Sequence, residues 1–287
     1  MNVYAVIVTY NPDIVVLNKS ILALITQVNK IIIVDNCSTN DFFKKLIKYS
    51  KIILIKNEDN FGVAYALNKG VSKCLYMKAD WVLTLDQDSI IGENYISKML
   101  SAYQKIYERD KVGMLCPQYF INGKDNKHII YNDDIYFVGE AITSGSLVKA
   151  SIFNKVGMYD DSLFIDCVDY EFCLRLKMNG YRIAKVNSSI LYHSMGIVRE
   201  KKLFNKVIKY TTYDYLRRYY RYRNRIHIYK KNFFVSPSWV MKDLVKFFKE
   251  IIKIIITEKD WIFHLKFILI GIIDGVRGKR GKMNYTI

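Results

Sequence analysis

The chain has 287 residues, 51% of them hydrophobic, enough to bury the core of one large α/β domain with an appendage or of two small domains. Its 44 basic and 27 acidic residues give +17, but unevenly: residues 1–196 hold 22 basic and 20 acidic (+2), residues 197–287 hold 22 and 7 (+15). Five cysteines (Cys37, Cys74, Cys116, Cys167, Cys173) with no Cys-x-x-Cys pair argue against a disulfide framework and a structural zinc site, and for a reducing compartment.

The opening residues have neither the charged leader nor the long apolar run of a secretory signal. Instead Val3–Thr9 is an apolar, β-branched run that stops at Tyr10-Asn11-Pro12, where proline ends pairing; it reads as a buried strand. Ile14–Val28 carries apolar residues at helical spacing, and Lys30–Val34 is a second short apolar run ending at Asp35. The alternation repeats with a helix over Asp41–Tyr49, a strand over Lys51–Lys56, a helix over Gly62–Leu75 and a strand over Trp81–Leu85. Short strands alternating with helices predict a Rossmann-like α/β fold, a mostly parallel central sheet flanked by helices, with ligand sites beyond the carboxyl ends of its strands. Polar residues collect at those ends: Thr9-Tyr10-Asn11, Asp35-Asn36 and Asp86-Gln87-Asp88. From Lys111 to Tyr192, short strands (Val112–Cys116, Ile183–Val186) mix with turns and a helix over Tyr170–Asn179, an α+β continuation of the same sheet. From Glu200 onward the texture is Tyr/Arg-rich and then Lys/Ile/Phe-rich helix, a C-terminal basic α-helical extension.

Asp86 and Asp88 end a hydrophobic strand at i, i+2 spacing, which sends both side chains to one side where they can share a hard cation. A turn cap would use the same residue types. Asp166, Asp169 and Glu171 form an acidic cluster set among apolar residues at the start of a helix. Acids there suit the helix dipole, and partial desolvation also makes a carboxylate a better proton acceptor. Arg175, one turn on, is placed to pair with Glu171. His193 follows a strand-like run and is either a structural histidine or a third metal ligand.

Taken in order, these motifs resemble glycosyltransferase family 2, with its GT-A fold, and within it the rhamnosyltransferase-like bacterial members; the likeness spans residues 3–280. VIVTYN at 6–11 is similar to the opening strand and turn that receive the nucleotide, which implies Thr9, Tyr10 and Asn11 near the base. VDNCS at 34–38 resembles the turn whose acid, here Asp35, hydrogen-bonds the pyrimidine. NFGVAYALNKG at 60–70 implies nucleotide contacts from Asn60 and Gly62. LDQDS at 85–89 resembles the metal-binding Asp-x-Asp, implying Asp86 and Asp88 as ligands with Asp86 and Gln87 on the donor side. TSGSLV at 143–148 is similar to the acceptor-side loop, bringing in Ser144 and Gly145. FIDCVDYEFCLR resembles the segment with the catalytic base, which falls on Asp169, with Asp166 the alternative because many members have an acidic pair where this chain has Val168-Asp169. HSMG at 193–196 resembles a histidine turn that supplies a metal ligand in some relatives, and YYRYRN at 219–224 a Tyr/Arg-Asn segment whose Arg223 is a candidate for a diphosphate or lipid-linked acceptor.

The resemblance implies a GT-A catalytic domain over 1–198 (nucleotide-sugar half about 1–110, acceptor half about 111–198) and a basic amphipathic helical region over 199–287. It implies an inverting single displacement with Mg2+ or Mn2+ and a dTDP- or UDP-sugar, dTDP-rhamnose favoured, and a glycan or polyprenyl-diphosphate-linked acceptor. Residues 239–276 alternate Ile, Phe, Trp and Leu with lysines, and no window there reaches the roughly 20 apolar residues of a membrane span. Such helices either lie on an anionic membrane or pack on the catalytic domain or a second subunit as a homo-oligomer. The expected location is cytoplasmic, peripheral at the inner face of the cell membrane. Tyr210–Arg225 also interleaves aromatics with arginines as nucleic-acid-binding proteins do, but that reading leaves the neutral N-terminal two-thirds unexplained, so no nucleic-acid partner is expected. A catalytically dead scaffold is opposed by intact Asp86, Asp88 and Asp169.

Overall fold

The computed structural model describes residues 1–40, 49–121, 134–193, 197–203 and 206–283. Two compact units emerge: Met1–Asp161 with Val168–Ser194, and Ser162–Cys167 with Met195–Ile287.

The first unit opens with strand β1 (Val3–Thr9), every residue of which is buried, as its unbroken apolar run requires. Asp13 caps helix α1 (Ile14–Ile25) by accepting from the Val15 and Val16 N–H groups, and the chain returns as β2 (Lys30–Asp35). The helix expected over Asp41–Tyr49 lies, apart from Tyr49, outside the described residues. Next come β3 (Ile52–Lys56), α2 (Val63–Tyr76) and β4 (Trp81–Asp86). β1 lies between β2 and β4 and is parallel to both, with Thr9 opposite Asp35 and Val8 opposite Asp86. The chain steps outward to β2 and β3, then crosses to β4 on the other side of β1. That reversal is the switch point where open α/β sheets bind ligands.

The rest of this unit extends the sheet with β5 (Ile90–Ile91), β6 (Val112–Ile121), β7 (Ile135–Val138), β8 (Ser146–Lys149) and β9 (Arg182–His193), interspersed with α3 (Tyr95–Lys105), α4 (Ala150–Val156) and α5 (Val168–Met178). The order is β3-β2-β1-β4-β8-β6-β9-β5, with β7 on β9. The expected Val112–Cys116 and Ile183–Val186 are parts of longer strands: β9 runs twelve residues, past a register shift against β6 at Pro117/Gln118, to end at His193. Ile90 of β5 pairs with Tyr192, which sets the turn after Asp86 beside the end of β9.

The second unit departs from the all-helical expectation. Val207-Ile208-Lys209-Tyr210-Thr211-Thr212 is β-branched and alternating, and β10 (Ile197–Leu203) and β11 (Lys206–Thr212) form an antiparallel hairpin before the helices begin. Three helices follow: α6 (Tyr215–Asn232), α7 (Pro237–Thr257) and α8 (Trp261–Val276). The Tyr/Arg pattern of α6 points inward. Glu250 of α7 accepts from Arg218 (3.0 Å), Arg221 (2.8 Å) and Arg225 (2.7 Å), and Asp243 pairs with Arg225 at 3.1 Å. Burial pushes the Glu250 carboxyl up, but Arg221, Arg225 and Arg218 outweigh it and hold it below its ordinary value. Each of these arginines is therefore paired with an acid of α7.

α6 and α8 approach at glycines: a Cβ on Gly271 would sit 2.4 Å from the Tyr219 carbonyl oxygen, and one on Gly275 2.7 Å from that of Arg223. Because the obstacle is backbone, Gly271→Ala must push two helices apart. It is expected to lower stability by about 1–3 kcal/mol in denaturant unfolding, while Gly139→Ala, whose Cβ meets nothing within 4 Å, stays near wild type. Equal midpoints for the two variants would contradict this packing.

Candidate active site

The first layer of the site is a set of loops locked to one another at the carboxyl ends of β1, β2 and β4. The Thr9 hydroxyl donates to Asp35 Oδ1 at 3.0 Å, the Ser38 N–H donates to Asp35 Oδ2 at 2.9 Å, and the Ser38 hydroxyl donates to the same carboxylate. Asp35 is 0% exposed, so in this structure it ties two loops together where the resemblance implied a pyrimidine contact. Asn11, in the left-handed region at φ 46°, donates its N–H to Ser38 Oγ and accepts from the Thr39 N–H. The Tyr10 N–H donates to Gln87 Oε1 (2.8 Å) and the Gln87 amide donates back to the Tyr10 carbonyl (3.2 Å), leaving the Tyr10 ring exposed.

Asn36, which sequence reasoning did not single out as a site residue, is the hub of this layer. Its Nδ2 donates to Asn60 Oδ1 (2.9 Å) and the Gly62 carbonyl (3.0 Å), and its Oδ1 accepts from Asn57 Nδ2 (3.0 Å) and the Phe61 N–H (3.2 Å). All four hydrogen-bonding positions of a buried amide are filled, which fixes the turn into α2. Asn60 and Gly62, the latter at φ 91°, are held in this loop by those bonds.

The second layer is a metal-competent cluster. Asp86 at the end of β4, Asp88 in the turn after it and His193 at the end of β9 each offer a ligand atom, all within 4.8 Å of one another. All three are half-buried, and His193 Nδ1 lies 3.9 Å from Asp88 Oδ1. Two carboxylate oxygens and one imidazole nitrogen suit an octahedral Mg2+ or Mn2+ and leave room in its shell for phosphate oxygens and water. The residues present fit such an ion.

Ser144 and Gly145 lie behind this cluster and do not face outward as an acceptor loop would. Ser144 is 1% exposed and its Oγ accepts the Asp86 N–H at 3.0 Å. Gly145, at φ 80°, donates its N–H to the Thr84 carbonyl at 2.7 Å, and a Cβ there would meet Leu191, the Tyr95 hydroxyl and Pro117 within 3.0 Å. Both residues brace the end of β4.

A separate acidic group opens helix α5. Asp169 sits half-buried in the first turn of α5, where its Oδ1 accepts from the Tyr170 N–H at 2.9 Å. Glu171 is buried and holds Arg175 in a forked ion pair (2.7 Å at the closest), while Arg175 also donates to the carbonyls of Val156 (2.8 Å) and Met158 (2.7 Å). That pair fastens α5 to the end of α4. Asp166 belongs to the second unit and is held by Arg217 (3.1 Å) and Arg221 (3.3 Å), which weakens its claim as the base. Arg223, proposed by resemblance for a diphosphate, is 1% exposed, and its guanidinium donates to the Gly281 and Leu163 carbonyls and to Asn224 Oδ1. Beside it the Asn224 amide reaches the carbonyls of Leu163, Ile165 and Asp166, steadying a segment in which Phe164, Asp166 and Cys167 all have left-handed φ. Arg223 is thus a fold residue with its donors occupied.

Comparison with known proteins adds the family to which this fold belongs. Residues 4–165, more than half of the chain, match the sequence model of Glycosyl transferase family 2. The chain is 31% identical over 297 residues to dTDP-rhamnosyl transferase RfbF of Shigella flexneri, covering 99% of each protein. It is 26% identical over 283 residues to an uncharacterized glycosyltransferase of Methanocaldococcus jannaschii, covering 90% of this chain and 93% of the other. Among solved structures, GalNAc-T7 with UDP, GalNAc and Mn2+ superposes with a TM-score of 0.64 at 13% identity, over 84% of this chain but about half (49%) of that one. S. aureus TarS 1–349 with UDP-GlcNAc gives 0.57 at 15% identity, over 78% and 65% of the two chains. These structural likenesses carry the GT-A fold, and the family match together with the full-length relative carries more: the chain belongs to glycosyl transferase family 2.

Proposed function

We propose that this glycosyltransferase is an inverting, metal-dependent enzyme that moves L-rhamnose from dTDP-rhamnose to a hydroxyl of a growing, lipid-linked bacterial surface polysaccharide. The observation that carries the metal-dependent donor site is the convergence of Asp86, Asp88 and His193 at the switch point of the sheet. Rhamnose is favoured by the end-to-end likeness to a dTDP-rhamnosyl transferase. UDP-sugars are the second donor class, favoured by the UDP and UDP-GlcNAc complexes of the structural neighbours.

In this reading Asp86, Asp88 and His193 hold the divalent cation, which supplies positive charge to offset that growing on the departing diphosphate. The loops fixed by Asp35 and Asn36 shape the nucleotide site, with Tyr10, Asn60 and Gly62 at its edge. Asp169 takes the proton of the acceptor hydroxyl as that oxygen attacks the anomeric carbon, and attack opposite the leaving group inverts the configuration.

The helical unit supports a membrane reading. Met241, Val245, Phe248, Ile252 and Ile255 form one exposed apolar stripe on α7, and Lys242, Lys246, Lys249 and Lys253 run exposed beside it. On α8, Ile262, Leu269, Ile273 and Val276 make a second stripe with Lys266 between them. Among the described residues no helix is long and apolar enough to cross a membrane. Apolar stripes bordered by lysine fit the surface of an anionic bilayer, each lysine adding up to about 1 kcal/mol, and we place the enzyme there, at the cytoplasmic face.

Two measurements test these readings. In thermal-shift assays dTDP-rhamnose should stabilise the protein only when Mg2+ or Mn2+ is present. Asp88→Asn should remove that dependence, and Asp169→Asn should keep it while lowering transfer about 10²–10⁴-fold. Full transfer by Asp169→Asn would reject the base assignment, and a larger shift with UDP-sugars would reject rhamnose. In vesicle sedimentation the full chain should bind phosphatidylglycerol over phosphatidylcholine, and Phe248→Glu with Ile252→Glu should release it. A stripe variant that still sediments, or a wild-type chain that dimerises and ignores vesicles, would assign the stripes to another surface.

A further inference from the structure

Behind the metal-competent cluster runs a short chain of buried hydroxyls that the family motifs do not explain. His193 Nδ1 lies 2.8 Å from Ser89 Oγ, Ser89 Oγ lies 2.7 Å from Ser144 Oγ, and Ser144 Oγ accepts the Asp86 N–H at 3.0 Å. Ser89 is 0% exposed and Ser144 1%. The chain thus connects the backbone of one candidate ligand to the ring of another far away in sequence. Ser89 is itself held by a turn bond from its N–H to the Asp86 carbonyl (3.2 Å) and by the pairing of Ile90 with Tyr192.

A backbone N–H only donates, so Ser144 must accept from Asp86, and the remaining protons can run in two directions. In one, His193 Nδ1–H donates to Ser89 and Ser89 to Ser144. In the other, Ser144 donates to Ser89, Ser89 donates to a bare Nδ1, and the ring proton sits on Nε2. The first leaves Nε2 with a free lone pair and the second leaves it protonated, so the Ser89 hydroxyl decides which tautomer the ring holds, as partners of histidine ligands ordinarily do.

We infer that Ser89, backed by Ser144, is a positioning residue for the cation site: its buried hydroxyl, 2.8 Å from Nδ1, sets the orientation of the His193 ring and where the ring proton sits. The inference rests on His193 being the third ligand. Removing the Ser89 hydroxyl leaves the ring free to turn and to carry its proton on either nitrogen, without touching Asp86 or Asp88.

The test is Mn2+ affinity of the full chain in the presence of dTDP, measured by calorimetry or from the electron-spin signal of free Mn2+. Ser89→Ala should weaken Mn2+ binding about 10–100-fold with little change in metal-free melting temperature, Ser89→Thr should restore part of it, and adding Ser89→Ala to His193→Ala should cost nothing further. Wild-type affinity in Ser89→Ala, with affinity lost in His193→Ala, overturns the inference. Equal losses from Ser89→Ala in both backgrounds also overturn it, because the serine would then act through the aspartate turn. Unchanged affinity in His193→Ala instead sinks the ligand assignment itself. Should Ser89→Ala not fold, Ser144→Ala carries the test in both the wild-type and His193→Ala backgrounds, because Ser144 also accepts the Asp86 N–H; wild-type affinity, or an equal loss in both backgrounds, overturns the inference.

Discussion

Parallel pairing of β1 with β2 and β4 is the constraint from which the site follows. Thr9 lies opposite Asp35 and Val8 opposite Asp86, so three strands that are far apart in sequence stop together and present their polar ends at one edge. The buried Asp35 carboxylate then fastens the first two loops to each other, and the Tyr10–Gln87 exchange fastens the first to the third. Against that edge β9 delivers His193, because it pairs with β6 past a register shift and is met by β5 at Tyr192. A sheet side chain has little freedom to wander, so a divalent cation and a diphosphate would find their ligands already gathered.

The uneven charge of the chain has a corresponding division of labour. In the helical unit three arginines of α6 turn inward and a row of lysines on α7 turns outward: Arg218, Arg223 and Arg225 are buried and bound to acids, carbonyls or an amide, whereas Lys242, Lys246, Lys249 and Lys253 are exposed. A flat guanidinium satisfies several buried acceptors at once, and an ammonium on a flexible stem suits a wet, charged surface. The excess of +15 in residues 197–287 is therefore, on the outside, mainly a lysine charge set beside apolar stripes.

How far the sequence discloses this varies with the length of each signal. Val3–Thr9 is identical in expectation and structure because a buried parallel strand needs an unbroken apolar run, and α2 begins one residue after its glycine cap. β5, β7 and β8, of two to four residues, are too short to show a period, and they place Ser144 and His193. The hairpin over 197–212 hides in a basic, aromatic stretch whose alternation is easily mistaken for a helix onset. Asp86, Asp88 and His193 were legible through their motifs. Asn36, Ser89 and the inward role of Arg223 were not, since nothing in a lone asparagine, serine or arginine states whether its partners are solvent, ligand or the chain's own carbonyls.

The central proposal is one cation held by Asp86 at the end of β4, Asp88 in the turn after it and His193 at the end of β9. Anomalous diffraction from crystals grown with Mn2+ and dTDP tests it most directly. A single strong peak within bonding distance of Asp86 or Asp88 and of His193, touching the diphosphate, is the predicted result. A nucleotide bound at these loops with Mn2+ elsewhere, or with none of the three side chains turned toward it, would contradict the account.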